Sequence, residues 1–215
     1  MRLAMDAAAI GRGLGAEVPP MTLWAGPGAP SVVQVETAER PMLVSMMLAG
    51  RIGADTGAIR VDDRTDPVAL RQHTALVDTP VVAEPVAGVS LAGVVAEELV
   101  FADRPAGRRA VRAFLEQHEL LRFARVPMRA LPPNDRVRLL CELALLRPGV
   151  RAIILTSPER HGGEPDGWYE SLEAIAFRGI TVVIVTDAVT AERLLDLGAR
   201  DATAGPDAAP SEEVA

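Results

Sequence analysis

Two continuous stretches rich in β-branched residues, RAIILTS (151–157) and ITVVIVTD (180–187), constrain the fold most tightly. A strand with no polar alternation is buried on both faces, which is the habit of a parallel sheet. The stretch between them, GWYESLEAIAFRG, reads as a helix. A strand–helix–strand unit within one sheet requires a right-handed crossover. The chain is therefore expected to be an α/β protein with a mainly parallel core sheet.

The preceding segments are shorter. RLAMDAAAI, MTLW and SVVQV are apolar pieces separated by GRGLGAEVPP and AGPGAP, the pattern of strands joined by tight turns. Residues 41–50 have helical character, GADTGAIRVDD reads as a turn and a short strand, and TALVD (74–78) as another strand. From Ser90 to Phe123 the pattern turns helical: Val111, Phe114, Leu115, His118 and Leu121 recur at helical spacing. RALPPNDRVRLLCELALL is a proline-broken loop entering a second helix. The C-terminal ATAGPDAAPSEEVA is small and polar, and is expected to be disordered, above all over 206–215.

Charge and residue usage exclude several chemistries. The net charge is -7, which argues against nucleic acid, whose phosphates need a basic footprint. All 22 cationic side chains are arginine, so no step that needs a lysine, as phosphate clamp or Schiff base, can run on this chain alone. A single cysteine rules out an internal disulfide and fits a reducing compartment. No window approaches the roughly 20 apolar residues of a membrane span. A cytoplasmic protein is expected, peripheral at the inner face of the membrane if it docks on a membrane partner.

The junction VVQVETAERPMLVSMMLAG (32–50) is a buried strand, a short turn and an apolar helix, the arrangement in which α/β proteins cradle phosphate. Three further stretches accompany it in order: LAGRIGADTGAIRVDD, RALPPNDRVRLLCELALLRPGVRAIILTSPE and EAIAFRGITVVIVTD. Together they resemble the nucleotide-binding domain of ATP-binding cassette (ABC) proteins, over about residues 2–205. The resemblance implies a P-loop NTPase-like fold over 1–205: a parallel core sheet, an N-terminal antiparallel β layer and a reduced helical lobe around 84–135. In the family that lobe contacts a membrane-embedded subunit.

The positions that carry the family's chemistry are altered here. A phosphate loop needs glycine amides, a lysine for the β/γ phosphates and a hydroxyl on magnesium. The matching turn is Val35–Arg40, with Pro41 at the lysine position and Met42 and Leu43 at the hydroxyl positions. Proline lacks an N–H and holds Arg40 extended, and Glu36 and Glu39 oppose an anion. The acids expected after RAIIL, for magnesium and for the attacking water, are Thr156 and Ser157. The glutamine before the lobe becomes Thr79, and the switch histidine becomes Asp187. The signature loop is LPPND, where Pro132 and Pro133 cannot donate and Asn134 stands near the helix start. The resemblance thus implies a degenerate, non-hydrolysing cassette with no catalytic residue, no metal and no bound ATP or magnesium. Its partners would be a permease-like subunit, an active cassette protein or a second copy of itself. The alternatives are an asymmetric half-site subunit that completes a partner's ATPase, and an unrelated α/β domain with a small-molecule site.

Other residues invite competing readings. Ser157, His161 and Asp187 sit near strand ends, but LTSPERHGG lacks the tight nucleophile elbow, so they read as polar loop residues. Cys141, flanked by leucines, reads as an inert core thiol, and the three histidines lack metal-ligand spacing. Arg108, Arg109 and Arg112 could meet an acidic partner or simply be solvated. Trp168 and Tyr169 are candidates either for an interface, where aromatics are enriched, or for simple packing.

Overall fold

The computed structural model describes residues 1–36 and 39–205. Thr37 and Ala38 of the predicted phosphate-type turn, and the predicted disordered tail 206–215, lie outside the described residues. The elements run β1 (Leu3–Ile10), β2 (Val18–Ala25), β3 (Ser31–Gln34), α1 (Arg40–Leu48), β4 (Thr56–Val61), α2 (Pro67–His73) and β5 (Thr74–Val77). They continue α3 (Leu91–Phe101), α4 (Arg108–Gln117), α5 (Pro133–Ala144), β6 (Ala152–Thr156), α6 (Pro165–Phe177), β7 (Thr181–Thr186), α7 (Ala188–Asp196) and β8 (Arg200–Asp201).

Five strands form a parallel sheet in the order β5, β6, β7, β3, β8. β7 lies between β3 and β6, so the two strands that carry the phosphate-type turn and LTSPE are not neighbours. The β-branched runs are buried on both faces, as their composition demands. Ile153, Leu155, Val182 and Ile184 face the core formed with α3, α4, α5, α6 and α7. Ile154, Val183 and Val185 face the other core, formed with α1 and the N-terminal sheet.

That second layer is a three-stranded antiparallel sheet in the order β2, β1, β4. Its regularity breaks between Asp6 and Ala9, where the register with β4 shifts. The break is built around Gly57, whose φ is +76°. A Cβ there would fall 2.2 Å from the carbonyl oxygen of Ala7, so no side chain fits.

The sequence pattern leaves out α2, α7 and β8. α2 is a seven-residue helix whose start is signalled by Asp66, which accepts from the N–H groups of Val68 and Ala69, followed by Pro67. The tail expectation begins too early. Ala202–Ala204 forms a 3-10 turn, capped by Asp201 through the Thr203 N–H, with Ala202 buried.

Candidate functional site

The C-terminal ends of β5 and β6 and the middle of α1 converge on a closed polar joint. Thr156, the last residue of β6, donates from Oγ1 to Ser45 Oγ of α1 at 2.8 Å. Its hydroxyl also meets Thr79 Oγ1, just past β5, at 2.8 Å. All three residues are fully buried. Three hydroxyls thus satisfy one another directly, tying sheet, helix and lobe entrance at one point.

Next to it stands an ionic cluster that carries no signature in the sequence. Asp78, 1% exposed, accepts from Arg136 Nε at 2.8 Å and from Nη2 at 2.7 Å. This is the bidentate fork geometry of a strong arginine–carboxylate pair. Arg160 adds a contact from Nη2 to Oδ1 at 3.0 Å and reaches Glu84 at 3.3 Å. His161 Nε2 lies 3.1 Å from Asp78 Oδ2, off the hydrogen-bond line. Burial alone would push the Asp78 carboxyl up. The approach of His161, the Arg136 pair and the Arg160 charge reverse this and hold it well below the usual carboxylate range.

Asp78, Glu84 and His161 present ligand atoms within 4.8 Å of one another, close enough for a divalent cation. Two carboxylates are already matched here by two guanidinium groups, however, and a cation would add uncompensated charge beside Arg136 and Arg160. The residues present therefore fit an ion-paired joint and not a metal site.

The other predicted positions are distributed as follows. Arg40 is the first residue of α1, helical and not extended as expected before Pro41, and its Nε donates to the Glu17 carbonyl at 2.8 Å. Pro41 is buried in the first turn and Met42 is half-buried behind it. Ser157 adopts a left-handed conformation at φ +46°, with its N–H donating to the Val185 carbonyl. Asp187 caps α7 by accepting from the Thr190 N–H at 2.8 Å. Ser157, His161 and Asp187 form no triad, since His161 faces Asp78 and Asp187 faces its own helix. Pro132 and Pro133 start α5. Asn134 packs on Gly167, where an added Cβ would lie 2.2 Å from the Asn134 amide nitrogen.

Glu159 is a carboxylate the sequence reading passed over. It accepts from Thr186 Oγ1 at 2.7 Å, between the ends of β6 and β7, and burial pushes its carboxyl up. Cys141 is buried, and burial raises its thiol far above the ordinary value. His118 stacks on Phe114 with ring centroids 4.3 Å apart. Arg108, Arg109 and Arg112 are exposed, and Arg112 pairs with Glu116 at 2.8 Å.

The interface expectation for Trp168 and Tyr169 is overturned. Trp168 is 0% exposed and Tyr169 4%, and both belong to the core beneath α6. They continue the apolar stripe of Leu172, Ile175 and Ala176, so they have no surface left to offer a partner. Burial and the nearby Glu173 charge raise the Tyr169 hydroxyl to about 12.

Part of the exposed apolar surface lies around a groove of about 510 Å³ between the β5–α3 connection, α3 and α5. Val82, Val86 and Phe101 border it and are exposed. Glu84 and Glu97 line it, while Glu98 is paired with Arg147 at 2.7 Å.

No protein-family model matches the chain, and no curated protein matches it. Solved structures do. The ATP-binding subunit of an ABC transporter is 15% identical, covering 90% of this chain and 83% of its own, with a TM-score of 0.60. A dimeric bacterial ABC transporter cassette is 16% identical over 89% and 90%, with a TM-score of 0.64. The cbiO1 protein of Clostridium perfringens, part of an ABC transporter complex, is 16% identical over 87% and 78%, with a TM-score of 0.61. Identities this low speak to fold alone. The chain has the P-loop NTPase-type fold of an ABC nucleotide-binding domain.

Proposed function

We propose that this chain is a catalytically degenerate ABC-type subunit that neither binds magnesium-ATP tightly nor hydrolyses it. Its role is structural or regulatory, in a transporter-like assembly at a membrane. The observation that carries this reading is the hydroxyl joint. By the resemblance, the Thr156 position carries the acid that holds magnesium through water. Here it is a buried threonine bonded directly to Ser45 and Thr79. A neutral hydroxyl cannot compensate a divalent cation, and no lysine exists in the chain to meet the phosphates.

The partner is inferred from the surface and from the similar structures, one solved as a dimer and one as part of a transporter complex. The groove with its exposed valines and Phe101 suits an apolar segment of a permease-like subunit. No helix among the described residues is long and apolar enough to cross a membrane, so membrane association would come through that partner.

One observation favours the half-site alternative. Glu159 places a carboxylate with a raised pKa at the β6–β7 edge, where a partner's nucleotide could use it. Calorimetric titration with ATP, with and without magnesium, tests the degenerate reading. The degenerate reading expects no magnesium-dependent binding in the micromolar range, and such binding would overturn it.

A further inference from the structure

The helical lobe leaves the core after β5 and returns to it before α5, so residues 78–90 and 124–132 are its two connections. They are zipped to each other by backbone bonds: Leu91 N–H to the Val126 carbonyl, Met128 N–H to Val89 and Arg129 N–H to Ala87. Arg136, in the first turn of α5, then grips both. Its Nη1 donates to the Met128 carbonyl at 3.2 Å on the returning connection. Its Nε and Nη2 hold Asp78, the residue that opens the outgoing connection.

Arg160 completes the fastening from the core. Its Nη1 donates to the Thr156 carbonyl at 2.7 Å, at the end of β6. Its Nη2 contacts Asp78 and reaches Glu84, six residues along the outgoing connection. The same connection carries backbone strain. Asp78 has φ +52° and Val81 φ +65°, and a β-branched residue there persists only where its surroundings hold it. Val81 is itself fully exposed, so its own packing does not hold the turn. The fastening lies on either side of it, at Asp78, Thr79 and Glu84.

We propose that Asp78 is the pin of a closed hinge, fastening both connections so that the lobe keeps one position on the core sheet whatever occupies the neighbouring edge. This goes beyond the loss of ATP hydrolysis and does not depend on it. A cassette that bound nucleotide could still be pinned, and one that did not could still swing. Breaking the pin leaves the sheet intact, because β6, β7 and β3 are held by their own ladder and by two cores.

The full chain provides its own test. Its one cysteine, Cys141, is buried, so spin labels go only to introduced sites: Arg109→Cys on the lobe and Val189→Cys on α7, both exposed. Double electron–electron resonance then reads the lobe-to-core distance. The parent is expected to give one narrow distance, unchanged by saturating magnesium-ATP. Arg160→Gln, and Asp78→Asn if it folds, are expected to add a second population of roughly a tenth or more. The circular dichroism of the sheet should stay unchanged in both variants. Two distances in the parent, a shift on adding magnesium-ATP, or an unaltered narrow distance in Arg160→Gln would each overturn the proposal. Calorimetry on the same labelled protein reads nucleotide binding separately.

Discussion

Replacing Thr156 by valine keeps the shape of a buried β6 side chain and deletes one hydroxyl. Ser45 Oγ and Thr79 Oγ1 each lose a 2.8 Å partner in a region from which water is excluded. A buried polar group left unpaired costs about 1–3 kcal/mol, so the two together cost about 2–6 kcal/mol. The valine methyl recovers about 0.8 kcal/mol through its own burial. The net expectation is about 3 kcal/mol. For a chain of this size each kcal/mol moves the melting temperature by about 2–4 °C, which places Thr156→Val about 6–12 °C below the parent. Scanning calorimetry and guanidinium unfolding at neutral pH provide the measurement. An unchanged or raised melting temperature would refute the reasoning. It would mean that Ser45 and Thr79 reach solvent, so the edge is wet and open to a hydrated ion.

The same site sets an acid dependence. The Asp78 carboxyl is depressed in the folded chain, so its stabilisation is complete above the unfolded value near 4 and fades as pH falls below it. Asp78→Asn should cost about 3–5 kcal/mol at pH 7, by leaving Arg136 buried with a weakened partner. Because the parent alone loses this contribution on acidification, urea titrations of parent and variant should run parallel above about pH 5 and draw together only as pH falls below about 4. Curves that stay parallel below that pH would contradict the assignment. Trp168→Ala should destabilise by about 3–5 kcal/mol without altering sedimentation behaviour. A change in association with stability intact would restore the interface reading that its burial removes.

The parallel sheet was legible because AIIL (152–155) and VVIV (182–185) carry no polar residue to face water, and the structure buries both faces of each. Helix α6 was legible too, yet its aromatics were misread. Trp168 and Tyr169 fall on the stripe completed by Leu172, Ile175 and Ala176, a period that points inward once the helix is packed between α5 and α7. The ionic cluster had no such signal. Asp78, Glu84, Arg136, Arg160 and His161 come from three distant segments, and only the sheet order and the return of the lobe bring them together. Local patterning reports which way a side chain faces, not which distant charge it will meet. Short elements failed for a related reason. α2 and the 202–204 turn are capped by single aspartates, Asp66 and Asp201, and have too few apolar positions to establish a period.

The central claim is that the C-terminal edge of the sheet no longer serves magnesium-ATP. Isothermal titration of the purified chain with ATP, in matched buffers with magnesium and with a chelator, tests it most directly. The account predicts no heat attributable to micromolar binding and no difference between the two buffers. A magnesium-dependent dissociation constant in the micromolar range would contradict it and return this chain to the working nucleotide-binding cassettes.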